Sequence, residues 1–438
     1  MTPLGSRASP ALPLALSVLA SALIHCGPRI VDAVTLPATG DGSPGFTWPN
    51  TTSSANSDPW LVEHHNSIVQ MSPRVLLLDF YNPWTAAQAE DLAVNRIATL
   101  AEASRYHGYS DPSAPQFMTY DLVGVIDLTD KPPPATWQFE SSTKYPVDAT
   151  GAFDMSVLFS SSFAANFNVP DPTTPSGDLT LCQLFEEGII NELWILAGDE
   201  SNTMRKAPLT AESKQVYDVQ GNAVPGSFNA NTGYQAFAGP SCKVTARIAA
   251  LSPTHGADCD LVPRWAGIEN THLAIPYLDA NADDFFNDDF IARDGAPFNS
   301  WADLVAMSPP TAFLWQYPTA TSVSGVLPSG TAWTMNPFLQ GCGTAHFPPN
   351  ARGEWDYANA QAVQSRCEHY GMHDGLGGGD ITNAYSTSVV SAYTQEIMDG
   401  GCGAGWQIYL PQSMPGLNNQ AVAADGTAMK NWWPFLFY

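Results

Sequence analysis

Positive charge is the scarcest thing in this chain. Lys and Arg number 17 against 42 Asp and Glu in 438 residues, for a net charge of −25. So acidic a surface repels phosphate backbones, which argues against nucleic acid as a partner. It also disfavours anionic membranes and polyanionic substrates. Several chemical signatures are missing as well. The seven cysteines form no C-x-x-C pair, which argues against a zinc ribbon or a thioredoxin-type centre. There is no H-E-x-x-H helix motif and no G-x-S-x-G elbow, so a zincin and an ordinary α/β-hydrolase serine enzyme are both disfavoured. The run Gly375 to Asp380 (GLGGGD) lacks the Lys-Ser/Thr of a phosphate loop and reads as a tight turn. No convincing internal repeat is found, and after residue 24 no apolar run is long enough to span a bilayer.

What the N-terminus does contain is an export signal. Arg7 precedes the apolar stretch Ala11 to Ile24, short for a membrane span and of the right length for a signal-peptide core. Ala20-Ser21-Ala22 offers a small-x-small cleavage site, and a rival lipoprotein-like cleavage falls just before Cys26, where His25 fits poorly. A signal peptide over 1–25 is therefore expected, with the mature chain secreted or extracytoplasmic and a lipid anchor at Cys26 as the alternative. Without Cys26 six cysteines remain: Cys182, Cys242, Cys259, Cys342, Cys367 and Cys402. That even number suits disulfides in an oxidising compartment. Nothing in the sequence sets their pairing or an oligomeric state.

Residues 26–59 are rich in Thr, Ser, Gly, Pro and Asn and read as a flexible tether. Order is expected from Trp60. Arg74-Val-Leu-Leu-Leu-Asp79 is a continuous apolar run of the kind found in strands buried on both faces. Tyr120 to Leu128, Asn191 to Ala197 and Lys243 to Leu251 read as further strands. Thr85 to Tyr106 carries Ala89, Leu92, Ala93, Ile97, Leu100 and Ala101 at helical spacing behind a Thr N-cap. Helices are also expected over Asp154 to Phe167 and Asp178 to Ile190. The alternation predicts an α/β domain over 60–297, built on a mainly parallel sheet with flanking helices. Residues 298–438 show no clean periodicity and read as an irregular Trp/Pro/Gly-rich lobe packed on it.

Ligands of open parallel sheets bind beyond the carboxyl ends of the strands. Three predicted strands end in carboxylates: Asp79, Asp127, and the pair Asp199-Glu200. Converging carboxylates serve as acid and base, as nucleophile, or as ligands for a hard cation; singly, each is as readily a cap for the next turn. The histidines give a second set: His64-His65 before the first strand, His346 within His346-Phe-Pro-Pro-Asn350, and His369 and His373 at i, i+4 spacing but beside Gly371. Each alone reads first as a hydrogen-bonded structural residue and only second as a ligand. Asp279-Ala-Asn281-Ala-Asp283 begins like a calcium loop, but Asp284 and Phe290 stand where that loop needs Gly and Glu. No cofactor is expected; weak calcium is allowed. The 13 tryptophans serve core packing or, where exposed, the stacking of sugar rings.

The segments Pro73-Arg-Val-Leu-Leu-Leu-Asp-Phe-Tyr-Asn-Pro83, Asn191-Glu-Leu-Trp-Ile-Leu-Ala197, His346-Phe-Pro-Pro-Asn350 with Asp356-Tyr357, and Asn431-Trp-Trp-Pro434 resemble a family of uncharacterised secreted bacterial proteins. The resemblance spans most of the mature chain and implies one exported unit; it carries no activity. Members often show Gly-His-x-x-Glu where this chain has Ala266-Gly267-Ile268-Glu269, so the histidine of that element is absent here.

The leading expectation is a secreted hydrolase acting on an extracellular polymer, a neutral glycan above all. Asp79, Glu200 and Glu269 are its acid/base or nucleophile candidates, with His346 and Asn350 positioning substrate and Trp355 as a stacking surface. One alternative is a peptidase-like metal-dependent hydrolase with ligands among His64, His65, Asp79 and His346. The other is a cell-surface binding protein without catalysis.

Overall fold

The computed structural model describes residues 46–48, 64–80, 84–129, 138, 146–149, 154–167, 178–196, 212–217, 223–231, 247–251, 264–265, 323–326, 332–335, 349–350, 359–365, 367–370, 372, 383–386, 388, 404–422 and 428–434. Two short strands open it, β1 (Phe46–Trp48) and β2 (Ile68–Met71), paired parallel. β1 falls inside the stretch expected to be a tether and corrects that reading at its centre. The reason is Trp48, whose ring is fully buried and gives a polar stretch one strong apolar anchor.

The central element is β3 (Arg74–Asp79), every residue of which is buried. A run buried on both faces needs layers above and below it, which is the arrangement of covered parallel sheets. The chain leaves β3 through α1 (Ala86–Ala103) and returns as β4 (Asp121–Asp127), parallel to β3. Thr85 and Gln88 form a capping box that starts α1: the Thr85 Oγ1 accepts the Gln88 N–H at 3.3 Å, and the Gln88 Oε1 accepts the Thr85 N–H at 3.0 Å. Beyond β4 come α2 (Met155–Leu158), α3 (Ser161–Phe167) and α4 (Leu181–Glu186). The single helix expected over 154–167 is thus broken, because Asp154 caps α2 and the Ser160 hydroxyl accepts the Phe163 N–H at 3.1 Å to start α3. Gly188, with φ of 66°, ends the α4 turn in the left-handed conformation that glycine tolerates best.

β5 (Glu192–Leu196) then pairs parallel with the other side of β3. The hairpin of β6 (Glu212–Tyr217) and β7 (Ala223–Asn231) intervenes before β8 (Arg247–Leu251), which is parallel to β5, and β9 (Arg264–Trp265) adds antiparallel to β8. The sheet order is β4-β3-β5-β8-β9. An α/β architecture with a mainly parallel sheet is therefore present. Side chains of one β3 face, Leu76 and Leu78, share a core with Leu193, Ile195 and Ile126 and with Leu158, Phe163, Leu181 and Phe185 of α2 to α4. The opposite face, holding Leu77, Asp79 and Trp194, is the one on the α1 side, since α1 packs on β3 and β4.

Later elements are short. They are the hairpins β10 (Val323–Val326) with β11 (Ala332–Met335) and β12 (Val363–Ser365) with β13 (Asn383–Tyr385), a 3-10 turn at Cys367–His369, and α5 (Ala404–Ser413). α5 packs on α1, which ties residues expected in the C-terminal lobe to the α/β unit. The expected boundary at 297/298 and the signal peptide 1–25 lie outside the described residues. No helix among the described residues is long and apolar enough to cross a membrane.

Candidate active site at the carboxyl edge of the sheet

From β3 the chain moves first to β4 on one side and then back across to β5 on the other. The order therefore reverses at β3/β5, the position at which open α/β sheets bind their ligands. Asp79 is the last residue of β3 at this point, and it is fully buried. The Phe80 N–H, one residue on, donates to the Leu196 carbonyl at 2.7 Å, so β3 and β5 stay paired up to the edge.

Register brings a second carboxylate alongside. Asp79 is the direct partner of Asp127 on β4, and the Leu128 N–H donates to the Asp79 carbonyl at 2.9 Å. Residues opposite each other in a ladder share a face, and neighbouring strands stand ~4.8 Å apart. Asp79 and Asp127 thus occupy adjacent positions on the α1 face at the end where α1 begins. Their environments differ. Asp127 is half-buried, and its Oδ1 accepts the Thr129 N–H at 2.8 Å and the Thr129 hydroxyl at 2.6 Å, so it closes its own turn. Asp79 lies deeper, fully buried. On β5 the register partner of Asp79 is Leu196, and Glu200 follows four residues later.

The remaining candidates divide as follows. Glu200, Glu269, His346 and Trp355 lie outside the described residues. Asn350 is buried, and its Nδ2 donates to the carbonyls of Asn359 and, at 3.1 Å, of Gln361. The Asn359 Nδ2 in turn donates to the Asn350 carbonyl. The amide expected to position substrate therefore cross-links its own loop, and its buried Oδ1 makes no hydrogen bond.

His64 sits before β2, which runs in the same sense as β3: Met71 bridges Met118 in parallel just as Arg74 pairs with Asp121. His64 is therefore at the amino end and Asp79 at the carboxyl end, and the alternative metal set is not assembled from these two. The His65 side chain lies outside the described residues. Among the described residues no group of three or more His, Cys, Asp or Glu is placed to hold a metal ion. Of the six cysteines, Cys182 and Cys367 are each disulfide-bonded, and the other four lie outside the described residues.

Sequence reasoning missed two polar centres. At the amino end of the sheet, Glu192 is fully buried and accepts the Tyr120 hydroxyl at 3.0 Å and the Trp194 indole N–H at 3.3 Å. Nothing in its local sequence sets it apart from a strand-end glutamate. At the far end of α1, His107 follows the helix within Tyr106-His107-Gly108-Tyr109, with φ of 56°. A histidine and glycine between two tyrosines directly after a helix was the available signal. No family model, curated protein or solved structure matches this chain.

Proposed function

We propose that the chain is an exported hydrolase that cleaves an extracellular polymer, a neutral glycan, with carboxylates at the carboxyl edge of its sheet. The observation that supports this reading is the buried Asp79 at the β3/β5 reversal, in direct register with Asp127. Glycoside hydrolysis needs two carboxyl groups kept in different states, one to donate a proton and one to act as base or nucleophile. Asp79 supplies one buried carboxyl group of such a pair, while Asp127, bound by Thr129, closes the turn beside it. Asp79 acts as the acid/base or nucleophile, with Glu200 and Glu269 as its catalytic partners; His346 and Trp355 remain in the proposal for substrate contact. The net charge of −25 directs the choice of polymer, since a polyanion would be repelled on approach.

The reading is tested on the purified mature chain with a panel of neutral and anionic polysaccharides, measuring released reducing ends. Turnover is expected on at least one neutral glycan and on none of the anionic ones. Saturable binding to a glycan without any release would replace the hydrolase with a binding protein.

Export is tested separately. Mature protein from the native host is expected to lack at least residues 1 to 22, and non-reducing titration to find almost no free thiol. An intact N-terminus with six reactive thiols would overturn it.

A further inference from the structure

The end of α1 and the C-terminal segment meet through a dense set of polar and aromatic contacts that the hydrolase reading does not use. The His107 N–H donates to the Gln412 carbonyl of α5 at 2.8 Å. The Gln412 Nε2 returns to the Glu102 carbonyl at 2.8 Å and to its carboxylate at 3.3 Å. Gly108 has no room for a side chain, because a Cβ there would lie 2.6 Å from the Gln412 Nε2 and 2.8 Å from the Arg105 Cβ. The His107 ring stacks on Tyr106 with centroids 3.9 Å apart and lies 5.4 Å from Tyr109; Tyr109 in turn lies 4.8 Å from Tyr409 of α5. The left-handed backbone of a non-glycine residue here is a strained conformation held in place by its surroundings.

We propose that this junction is an acid-sensitive clasp, in which protonation of His107 releases the segment carrying α5 from the end of α1 while the sheet stays folded. The groups around the imidazole favour its neutral form. Burial and, after it, the facing His369 draw His107 from 6.5 down to about 4. Tyr106 is pushed up to about 12 by burial, and Tyr409 is also raised, by burial first, so both stay uncharged. The nearby carboxylates are engaged elsewhere. Glu368 accepts the Tyr409 hydroxyl at 3.1 Å, Glu102 pairs with Arg105 at 2.8 Å, and the exposed Asp111 binds the Ser113 hydroxyl at 2.6 Å. Tyr385 of β13 lies 5.6 Å from Tyr409.

The sign follows. His107 takes up a proton more readily released than docked, so docking is at full strength above pH 6.5 and weakens as pH falls toward 4. The whole shift is worth about 300-fold in the docking equilibrium, of which on the order of 30-fold falls between pH 6.5 and 4.5.

Hydrogen exchange on the mature chain tests this, with protection factors corrected for the intrinsic pH dependence of exchange. Amides of 105–110 and 404–420 are expected to lose on the order of 30-fold in protection over that interval, while those of β3 and β5 hold. His107→Asn keeps a residue tolerant of positive φ but removes the titration, and should flatten the dependence. His369→Gln should leave a shallower one. A flat parent profile, simultaneous loss in junction and sheet, or an Asn variant as steep as the parent would each overturn the clasp. If the Asn variant fails to dock at neutral pH, the His107 ring titration in the parent decides by NMR, and a value near 6.5 overturns it.

Discussion

Asp79→Asn is expected to lower turnover on the cleaved glycan by about 10²- to 10⁴-fold, the usual cost of losing a general acid or base. The amide keeps the shape of the carboxylate and removes only its charge and proton. The fold should therefore survive, and thermal stability should hold or rise, since a buried charge has been removed. Glu200→Gln is expected to behave in the same way.

Asp127→Asn gives the contrast. Its carboxylate is bound by the backbone and hydroxyl of Thr129, so the expected outcome is a loss of about 1 kcal/mol of stability, with turnover per folded molecule much less affected. Rates and melting curves from the same preparations separate the two patterns. Early melting with full specific activity in Asp79→Asn would make that residue structural and remove the central support for the hydrolase.

The second large effect is on the fold. Trp194→Ala should cost about 3–5 kcal/mol, the range for deleting a fully buried ring. Trp194 lies at the middle of β5, is completely buried, and stands in register with Leu77 of β3. Its loss would also take a donor from the buried Glu192, and buried polar groups that lose partners add a cost of their own. Trp194→Phe keeps an aromatic ring while removing the N–H and part of the indole volume, and about 1–3 kcal/mol is expected. Urea denaturation followed by far-UV circular dichroism measures both. Equal losses for Phe and Ala would mean that the hydrogen bond, not the packing, dominates there. Against a typical total of about 5–15 kcal/mol, the Ala variant leaves little margin.

Much of the sheet was legible because parallel strands covered on both faces write themselves as unbroken apolar runs. Arg74 to Asp79 and Glu192 to Leu196 are of this kind, and their buried lengths fall within the expected segments. α1 was legible from its spacing and from Thr85, whose side chain does cap the helix. β1 was hidden because three residues in a Ser/Thr/Pro/Gly-rich stretch carry no period, and only burial of Trp48 marks them.

At the candidate site, the carboxylates at strand ends could be read, but their register could not. That Asp79 faces Asp127 depends on an irregularity between Val75 and Leu76, where the pairing with β4 shifts by a residue. Asn350 was visible as part of a motif, while its cross-link to Asn359 is a tertiary fact. His107 was invisible for a similar reason: Gln412, which accepts its N–H, and His369, which acts on its ring, come from the other end of the chain.

The placement of β3 has a consequence for biogenesis. Both of its partners are synthesised after it, β4 beginning at Asp121 and β5 at Glu192, so this strand emerges with two open edges. Until β4 is complete at Asp127, Val75 to Leu78 is a short apolar segment with strong β character and neither sheet partner in place, and its other edge stays open until β5 ends at Leu196. Such segments recruit one another between chains. Contacts this distant in sequence also form slowly. A chain whose β3 waits for both of its neighbours is most vulnerable before β4 and β5 have formed. Its folding yield should therefore fall with concentration, and Arg74 and Asp79, at the two ends of the run, are the charges that guard it.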